Sequence, residues 1–462
     1  MFLLNWIKEA PTKPLIKDTH QVRKQYRFWR NEILYTSMVG YAIFYMVRKN
    51  LSAAMPGIEE DLGITKLQLG AFLTAHGLLY GLSKLCNGYL ADRANPRIFM
   101  ATGLILCAVM NFGFGMSETA LWMGLFWMAN GWFQGMGFPP CVKMLTHWFS
   151  LKERATKFSI WNVGHSLGAA IIVPLAGWLT VYYGWRYAFY VPGVIALGGA
   201  AMLLLTLRDI PETMGLPAVG VYEKLHRGEI NDIAEVSDEE EQQSESLDKA
   251  ISGKEYNAFV MKHVFLNPWV WLVSIAMFFV YVMRYAILDW GPTFLKESAG
   301  FELESAAGLT ALFEVMGIAG VLCSGFITDK FFRGHASRTC LGYMVLCGVA
   351  LWLFWQLPDN MVGLKVSCLI ASGFFIYGPQ CLVSVIAANL ATRRAASTAV
   401  GLTGFCAYLS TIVSGVLLGG LVKAYGWNVA FGMMFGAATV AALLFFIGCF
   451  TDDSGQHDLE GS

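Results

Sequence analysis

Apolar runs recur from one end of this chain to the other, separated by short polar breaks. Most are about 20 residues long, enough for a helix rising 1.5 Å per residue to cross a hydrocarbon layer of about 30 Å. The pattern predicts twelve helical spans: 32–56, 66–90, 97–117, 119–148, 154–181, 185–207, 263–297, 303–331, 336–357, 361–390, 393–424 and 426–451. Polar character dominates in the tails 1–31 and 452–462 and in one insert, 208–262. That insert holds 13 acids, the run Asp238–Glu241 among them, against 6 bases, and reads as a solvated linker with room for one surface helix. The expected class is an all-α integral membrane protein.

Composition agrees. The chain is 56% hydrophobic and 14% charged, whereas a soluble domain carries roughly 25% charged residues. The mean hydropathy is +0.50. No cleavage pattern follows MFLLNWI, so no signal peptide is expected. The 10 cysteines are scattered through apolar segments without a CxxC pair, and read as small buried residues. No metal site or cofactor is expected.

The two halves of the chain echo each other. Gly88-Tyr-Leu-Ala-Asp92-Arg93 matches Gly325-Phe-Ile-Thr-Asp329-Lys330 at an offset of 237. Gly184-Trp185-Arg-Tyr-Ala188-Phe189 matches Gly426-Trp427-Asn-Val-Ala430-Phe431 at 242, as does Gly131-Trp132-Phe133 with Gly373-Phe374-Phe375. Several matches at closely similar offsets indicate a repeat of six helices, with halves at 32–207 and 263–451. In transporters built this way the substrate lies near the midplane, at the repeat interface. Lys and Arg crowd one side: seventeen lie in the N-terminal tail and the loops on its side, against five opposite. By the positive-inside rule both termini and the linker are cytoplasmic.

Charges inside the spans carry the functional signal, because each is expensive in a bilayer. Lys143, near the end of its span, is expected to snorkel to the headgroups. Deeper lie Arg48, Lys49, Lys84 and Arg284, with the acids Asp289 and Glu314. Pairing among Lys49, Asp289 and Glu314 is the plainer reading of those three. The count still leaves a surplus of two cations, and the repeat singles out Arg48 and Arg284, which are 236 residues apart. Inorganic phosphate or a phosphate monoester would balance that charge, and the planar guanidinium offers two parallel donors to two phosphate oxygens. His165, in WNVGHSLG, is either a helix–helix hydrogen bonder or a further donor. Tyr41, Tyr45, Tyr80, Tyr281, Tyr377 and Tyr408 are candidate wall residues; Tyr41 and Tyr45 share a helical face with Arg48. Asp92 and Arg93, with Asp329 and Lys330, are expected to latch helix ends and gate access. The Gly/Pro stretches GWFQGMGFPPC and SGFFIYGPQ predict close packing and local bending.

No GxSxG, HExxH or P-loop is present, so an enzyme or an ATP-driven pump is not expected. Through YMVRKN, YGLSKL, GYLADRANPR, GWFQGMGFPPC, HWFSLKER, WNVGHSLG, RYAILDWGPTFLKE, DKFFRG and IYGPQ, the chain resembles the major facilitator superfamily. More narrowly it resembles the organophosphate:phosphate antiporters. The resemblance implies twelve transmembrane helices in two pseudo-symmetric halves and exchange of cytoplasmic phosphate for an external organophosphate by alternating access. It implies that Arg48 and Arg284 bind phosphate, that Lys84 and His165 assist, and that Lys49, Asp289 and Glu314 rearrange between states. GWFQGMGFPPC, RYAILDW and PTFLKE resemble the glycerol-3-phosphate transporters. Hexose-phosphate transporters carry Asp and Lys where this chain has Val400 and Thr403. QYRFWR, GLPAVG and FLNPWVWLVS resemble instead a membrane sensor of glucose-6-phosphate that signals to a histidine kinase. The leading expectation is a monomeric glycerol-3-phosphate:phosphate antiporter of a bacterial inner membrane, with no nucleic-acid partner; a hexose-phosphate transporter or sensor is the alternative.

Overall fold

The computed structural model describes residues 8–230, 233, 253–299, 303–358 and 361–450. The acidic run Asp238–Glu241 and the tail 452–462 lie outside the described residues. Helices cover every predicted span. They are α1 (Thr19–Leu62), α2 (Lys66–Ala91), α3 (Pro96–Met116), α4 (Ala120–Gln134), α5 (Phe138–Trp148), α6 (Arg154–Tyr183), α7 (Tyr187–Thr206), α8 (Val219–Arg227), α9 (Gly253–Val260), α10 (Pro268–Ala299), α11 (Leu303–Phe331), α12 (Ala336–Gln356), α13 (Val362–Leu390), α14 (Thr392–Ile412), α15 (Leu418–Tyr425) and α16 (Trp427–Gly448).

Local chemistry sets the ends. Asp18 caps α1 by accepting from His20 N and Gln21 N, and α1 stops at Gly63, whose φ of 66° suits glycine. Thr65 and Gln68 form a reciprocal capping box on α2. Asn95 caps α3, with Pro96 in the first turn. The predicted span 119–148 is two helices, α4 and α5, broken at Gly135–Gly137. Pro139 and Pro140 lack the N–H groups that would continue α4, and they sit instead in the first turn of α5. Pro379, by contrast, stays inside the continuous α13.

Among the described residues, nine helical stretches are long and apolar enough to cross a membrane by length and composition. α1, α2 and the α4–α5 pair are not among them. α1 carries Arg48 and α2 carries Lys84, whereas α4 and α5, of 15 and 11 residues, are each too short to cross alone.

The chain divides into two compact units. Unit 1 comprises residues 1–150, 163–264 and 393–401; unit 2 comprises 151–162, 265–392 and 402–462. In unit 1, Trp127, Phe114, Phe189 and Trp185 form the centre of a buried cluster with Leu51, Ile58 and Ile172. Phe114 and Phe189 stack with centroids 4.3 Å apart. In unit 2, Phe294 packs edge-on against Phe431 at 4.9 Å and Trp427 at 5.2 Å. Lipid is as apolar as leucine, so close packing and polar contacts, rather than escape from water, hold such helices together.

The start of the linker differs from the solvated segment expected. Asp209, Leu216, Val219, Tyr222 and Leu225 are buried. The N-terminal tail packs on it: Lys13 N donates to Glu212 O at 3.1 Å, Ile16 N to Gly215 O at 2.9 Å, and the Tyr26 hydroxyl to Pro217 O at 2.9 Å. Tyr26 and Tyr222 stack at 3.9 Å.

Candidate functional site

Six of the residues picked out in sequence meet inside unit 1. The guanidinium of Arg48 on α1 lies over the Tyr80 ring of α2 at 4.1 Å and over Tyr45 at 5.4 Å. Lys84, one turn after Tyr80, sets its ammonium 4.2 Å from the centre of the Phe138 ring and 5.5 Å from that of Tyr80. The hydroxyls of Tyr41 and Tyr80 are 3.4 Å apart. His165 of α6 packs against Tyr45 with ring centroids 5.2 Å apart, and its Nε2 lies 3.4 Å from Ser166 Oγ. Tyr41, Tyr80, Lys84 and His165 are all buried. Ring faces carry negative potential, so each cation is stabilised with its donors still directed.

Phe138 was missed in sequence. It is the first residue of α5, beside Lys84 because of the break at Gly135–Gly137; the Gly/Pro stretch GWFQGMGFPPC signals a bend there but not which side chain the bend brings to Lys84.

Unit 2 holds the counterpart. Arg284 of α10 lies over Tyr377 at 4.7 Å and over Tyr281 and Tyr285 at 5.7 Å each. Its Nη2 is 3.5 Å from Glu314 Oε1 on α11. Tyr377 donates to the same Oε1 at 2.5 Å. Tyr408 packs 6.0 Å from Tyr281. Tyr285 was also missed, although Tyr281 and Tyr285 repeat the four-residue spacing of Tyr41 and Tyr45.

This pairing revises the charge count. Glu314, expected in an ion-pair set with Lys49 and Asp289, faces Arg284 instead. Lys49 and Asp289 are exposed, one in each unit. Arg284 Nε–H donates no hydrogen bond among the described residues, so part of its fork remains unused.

The two loop aspartates cap helices. Asp92 Oδ1 accepts Ser397 N at 2.8 Å, and Oδ2 accepts Thr398 N at 2.8 Å and Thr398 Oγ1 at 2.6 Å, all within unit 1. α14 has a non-helical residue at Ala395, so these N–H groups open its regular turn. A Cβ on Gly88 would come 2.5 Å from Ser397 O, so only glycine lets α2 approach this closely. In unit 2, Asp329 Oδ2 accepts Thr156 N at 2.7 Å in the first turn of α6. The bases go elsewhere. Arg93 lies over the Tyr256 ring of α9 at 5.2 Å, and Lys330 over Phe326 at 4.9 Å. Tyr256 also donates to Asp92 Oδ2 at 3.3 Å, so the linker helix reaches the cap.

Lys143 does not snorkel. Its side chain is 2% exposed, ion-paired with Glu9, 3.9 Å from Asp209 Oδ1, and it donates to Ala94 O at 3.0 Å. Val400 and Thr403 are each 1% exposed.

The arrangement offers directed cations and hydroxyls in each unit, and among the described residues no cluster of metal ligands. It suits binding rather than covalent chemistry. Residues 37–415 match the Major Facilitator Superfamily. The chain is 37% identical to a probable hexose phosphate transport protein of Chlamydia trachomatis serovar D, over 93% of both chains. It is 36% identical to the membrane sensor protein UhpC of Salmonella typhimurium, over 96% of both. It is 33% identical to the glycerol-3-phosphate transporter of Bacillus subtilis, over 98% of this chain and 100% of that one. The chain therefore belongs to the Major Facilitator Superfamily, as a multi-pass membrane transporter related to the organophosphate:phosphate antiporters.

Proposed function

We propose that this protein imports a sugar phosphate, with a hexose phosphate as the leading ester, in exchange for inorganic phosphate across a bacterial inner membrane, both termini cytoplasmic. One observation carries the reading: Arg48 is laid over Tyr80 and Tyr45, with Lys84 and His165 in the same cluster. A guanidinium held by ring faces presents its fork to two oxygens of a phosphoryl group. Arg284 plays the matching part in unit 2, where Glu314 occupies it until a substrate oxygen takes its place. Lys49, Asp289 and Glu314 supply charges whose partners change during the cycle, and Asp92 and Asp329 hold helix ends in one access state. Tyr41, Tyr45, Tyr80, Tyr281, Tyr377 and Tyr408 line the route.

The glycerol-3-phosphate favoured by GWFQGMGFPPC and RYAILDW takes second place. Identity is higher to hexose phosphate transport proteins, despite Val400 and Thr403. Counterflow tests this. Proteoliposomes loaded with phosphate should take up labelled glucose-6-phosphate faster than glycerol-3-phosphate or phosphoenolpyruvate. No uptake of any ester overturns exchange. Binding of glucose-6-phosphate without uptake favours a sensor, the second reading that the 36% identity to UhpC supports.

A further inference from the structure

Three side-chain amides converge on the stretch of α1 that carries Tyr45 and Arg48, and a fourth, Asn50, reaches out from α1 itself. Asn130 Nδ2 of α4 donates to Val47 O at 3.0 Å, and Asn111 Nδ2 of α3 donates to the same oxygen at 3.1 Å. Gln134 Nε2 donates to Phe44 O at 2.9 Å. Asn50 Nδ2 donates to Asn111 Oδ1 at 2.8 Å and to Ala188 O of α7 at 2.9 Å. All four residues are at most 2% exposed. Two carbonyls on adjacent turns thus receive side-chain donors, which fixes the rotation and depth of α1 against α3 and α4.

Stability alone does not account for these amides. Asn50 Oδ1 and Asn130 Oδ1 are buried and take no hydrogen bond among the described residues. A half-satisfied buried amide costs free energy that an apolar residue of the same size would not. The repeat sharpens the contrast. At its offsets Asn130, Gln134 and Asn50 correspond to Ser372, Ile376 and Ala286. Counting α3 and α12 from their first residues, Asn111 corresponds to Leu351. Ser372 donates to Leu369 O of its own helix. So in unit 2 the matching positions hold apolar residues at three places, Ala286 on α10, Leu351 on α12 and Ile376 on α13, and at the fourth a serine of α13 turned onto its own helix.

The structure assigns Asn130, Gln134, Asn111 and Asn50 as positioning residues for Arg48: an amide clamp that fixes the direction of its fork, and that the matching positions of unit 2 lack among the described residues. This rests on the phosphate reading of Arg48 above. The clamped arginine sets the angle at which phosphate is taken.

The test is exchange of labelled inorganic phosphate in proteoliposomes of the full-length protein, with melting midpoints measured in detergent. Asn130→Leu and Gln134→Met keep side-chain volume and remove the donor. Each should raise the KM for phosphate about tenfold with an unchanged or higher melting midpoint. Ser372→Ala should leave KM unchanged. An unchanged KM in both amide variants, or a KM rise only alongside a fallen midpoint, overturns the clamp. Should both fail to fold, Gln134→Asn, which shortens the reach of the same amide, gives the same readout. Arg48→Lys is the arm that separates the two readings. If it retains normal exchange, the phosphate reading itself fails. If it loses exchange while the amide variants keep normal KM, only the clamp fails.

Discussion

The carboxylate of Asp92 accepts both the backbone N–H and the hydroxyl of Thr398, at 2.8 and 2.6 Å, across 306 residues of sequence. Asp329 repeats the relationship with Thr156 N at 2.7 Å. The two aspartates are 237 residues apart and the two threonines 242, so both caps follow the repeat while each joins opposite halves of the sequence. Segments 151–162 and 393–401 are grouped with the unit that supplies their cap.

Burial pushes the Asp92 carboxyl up to about 6, and the hydrogen bonds from Thr398 and Ser397 offset only part of that. Tyr256 and Arg93 are its polar neighbours from α9 and from its own loop. The sign follows. Below about pH 4 a solvated Asp92 and a capping Asp92 both carry a proton. Between 4 and 6 only the capping one does, so the cap weakens as pH rises, by on the order of 3 kcal/mol in total. Amide exchange at Ser397 and Thr398, corrected for intrinsic rates, should lose protection from pH 4 to 7. Asp92→Asn should flatten that dependence.

Arg48 depends on Tyr80 for its ring face. A desolvated cation–π contact is worth about 2 kcal/mol. Tyr80→Phe keeps the ring and should leave phosphate KM within about twofold; Tyr80→Leu should raise it at least tenfold. Arg48→Lys and Arg284→Lys keep charge and lose the fork, so labelled phosphate exchange should fall at least a hundredfold in each.

Glu314 competes with substrate for Arg284, since its carboxylate already lies 3.5 Å from that guanidinium. Glu314→Gln removes the competing charge and keeps an acceptor for Tyr377. Phosphate should bind more tightly while maximal exchange slows, because release now lacks an internal replacement anion. Equilibrium binding and exchange rate, measured on the same preparation, check both halves.

Much of this was legible in sequence where spacing is local. Hydropathy located the spans because a bilayer demands long apolar helices. Tyr41, Tyr45 and Arg48 could be placed on one face because i, i+4 and i+7 share a side of a helix. Contacts set by the tertiary path were not legible. Arg284 finds Glu314 on a neighbouring helix, although Asp289 is nearer in sequence. Phe138 reaches Lys84 only through a break that hydropathy reads straight across. The amides of Asn111, Asn130 and Gln134 sit in apolar runs with nothing local to show that they face the carbonyls of α1.

Lys143 makes the same point energetically. A snorkelling lysine could be replaced by methionine at little cost. Here the ammonium is buried against Glu9, Asp209 and Ala94 O. Removing one member of a buried ion cluster typically costs about 3–5 kcal/mol, because the opposite charges stay behind without compensation. Lys143→Met should therefore lower the melting midpoint clearly. The loss should depend on pH. Burial raises Asp209 to about 6 even with Lys143 pulling it down, and Glu9 adds to the rise. Stability tied to a raised carboxyl is present at low pH and lost as pH climbs through that value. Without Lys143 the carboxyl rises further, so the deficit should be largest at pH 8 and shrink at pH 5, where Asp209 is protonated. Glu9→Gln removes an ion-pair partner of Lys143, so it should cost little at pH 8, where the Asp209 carboxylate still balances the ammonium, and more at pH 5, where Asp209 is protonated. Melting midpoints of the three proteins at pH 5 and 8 decide the matter; a neutral Lys143→Met at pH 8 would return this lysine to the headgroups.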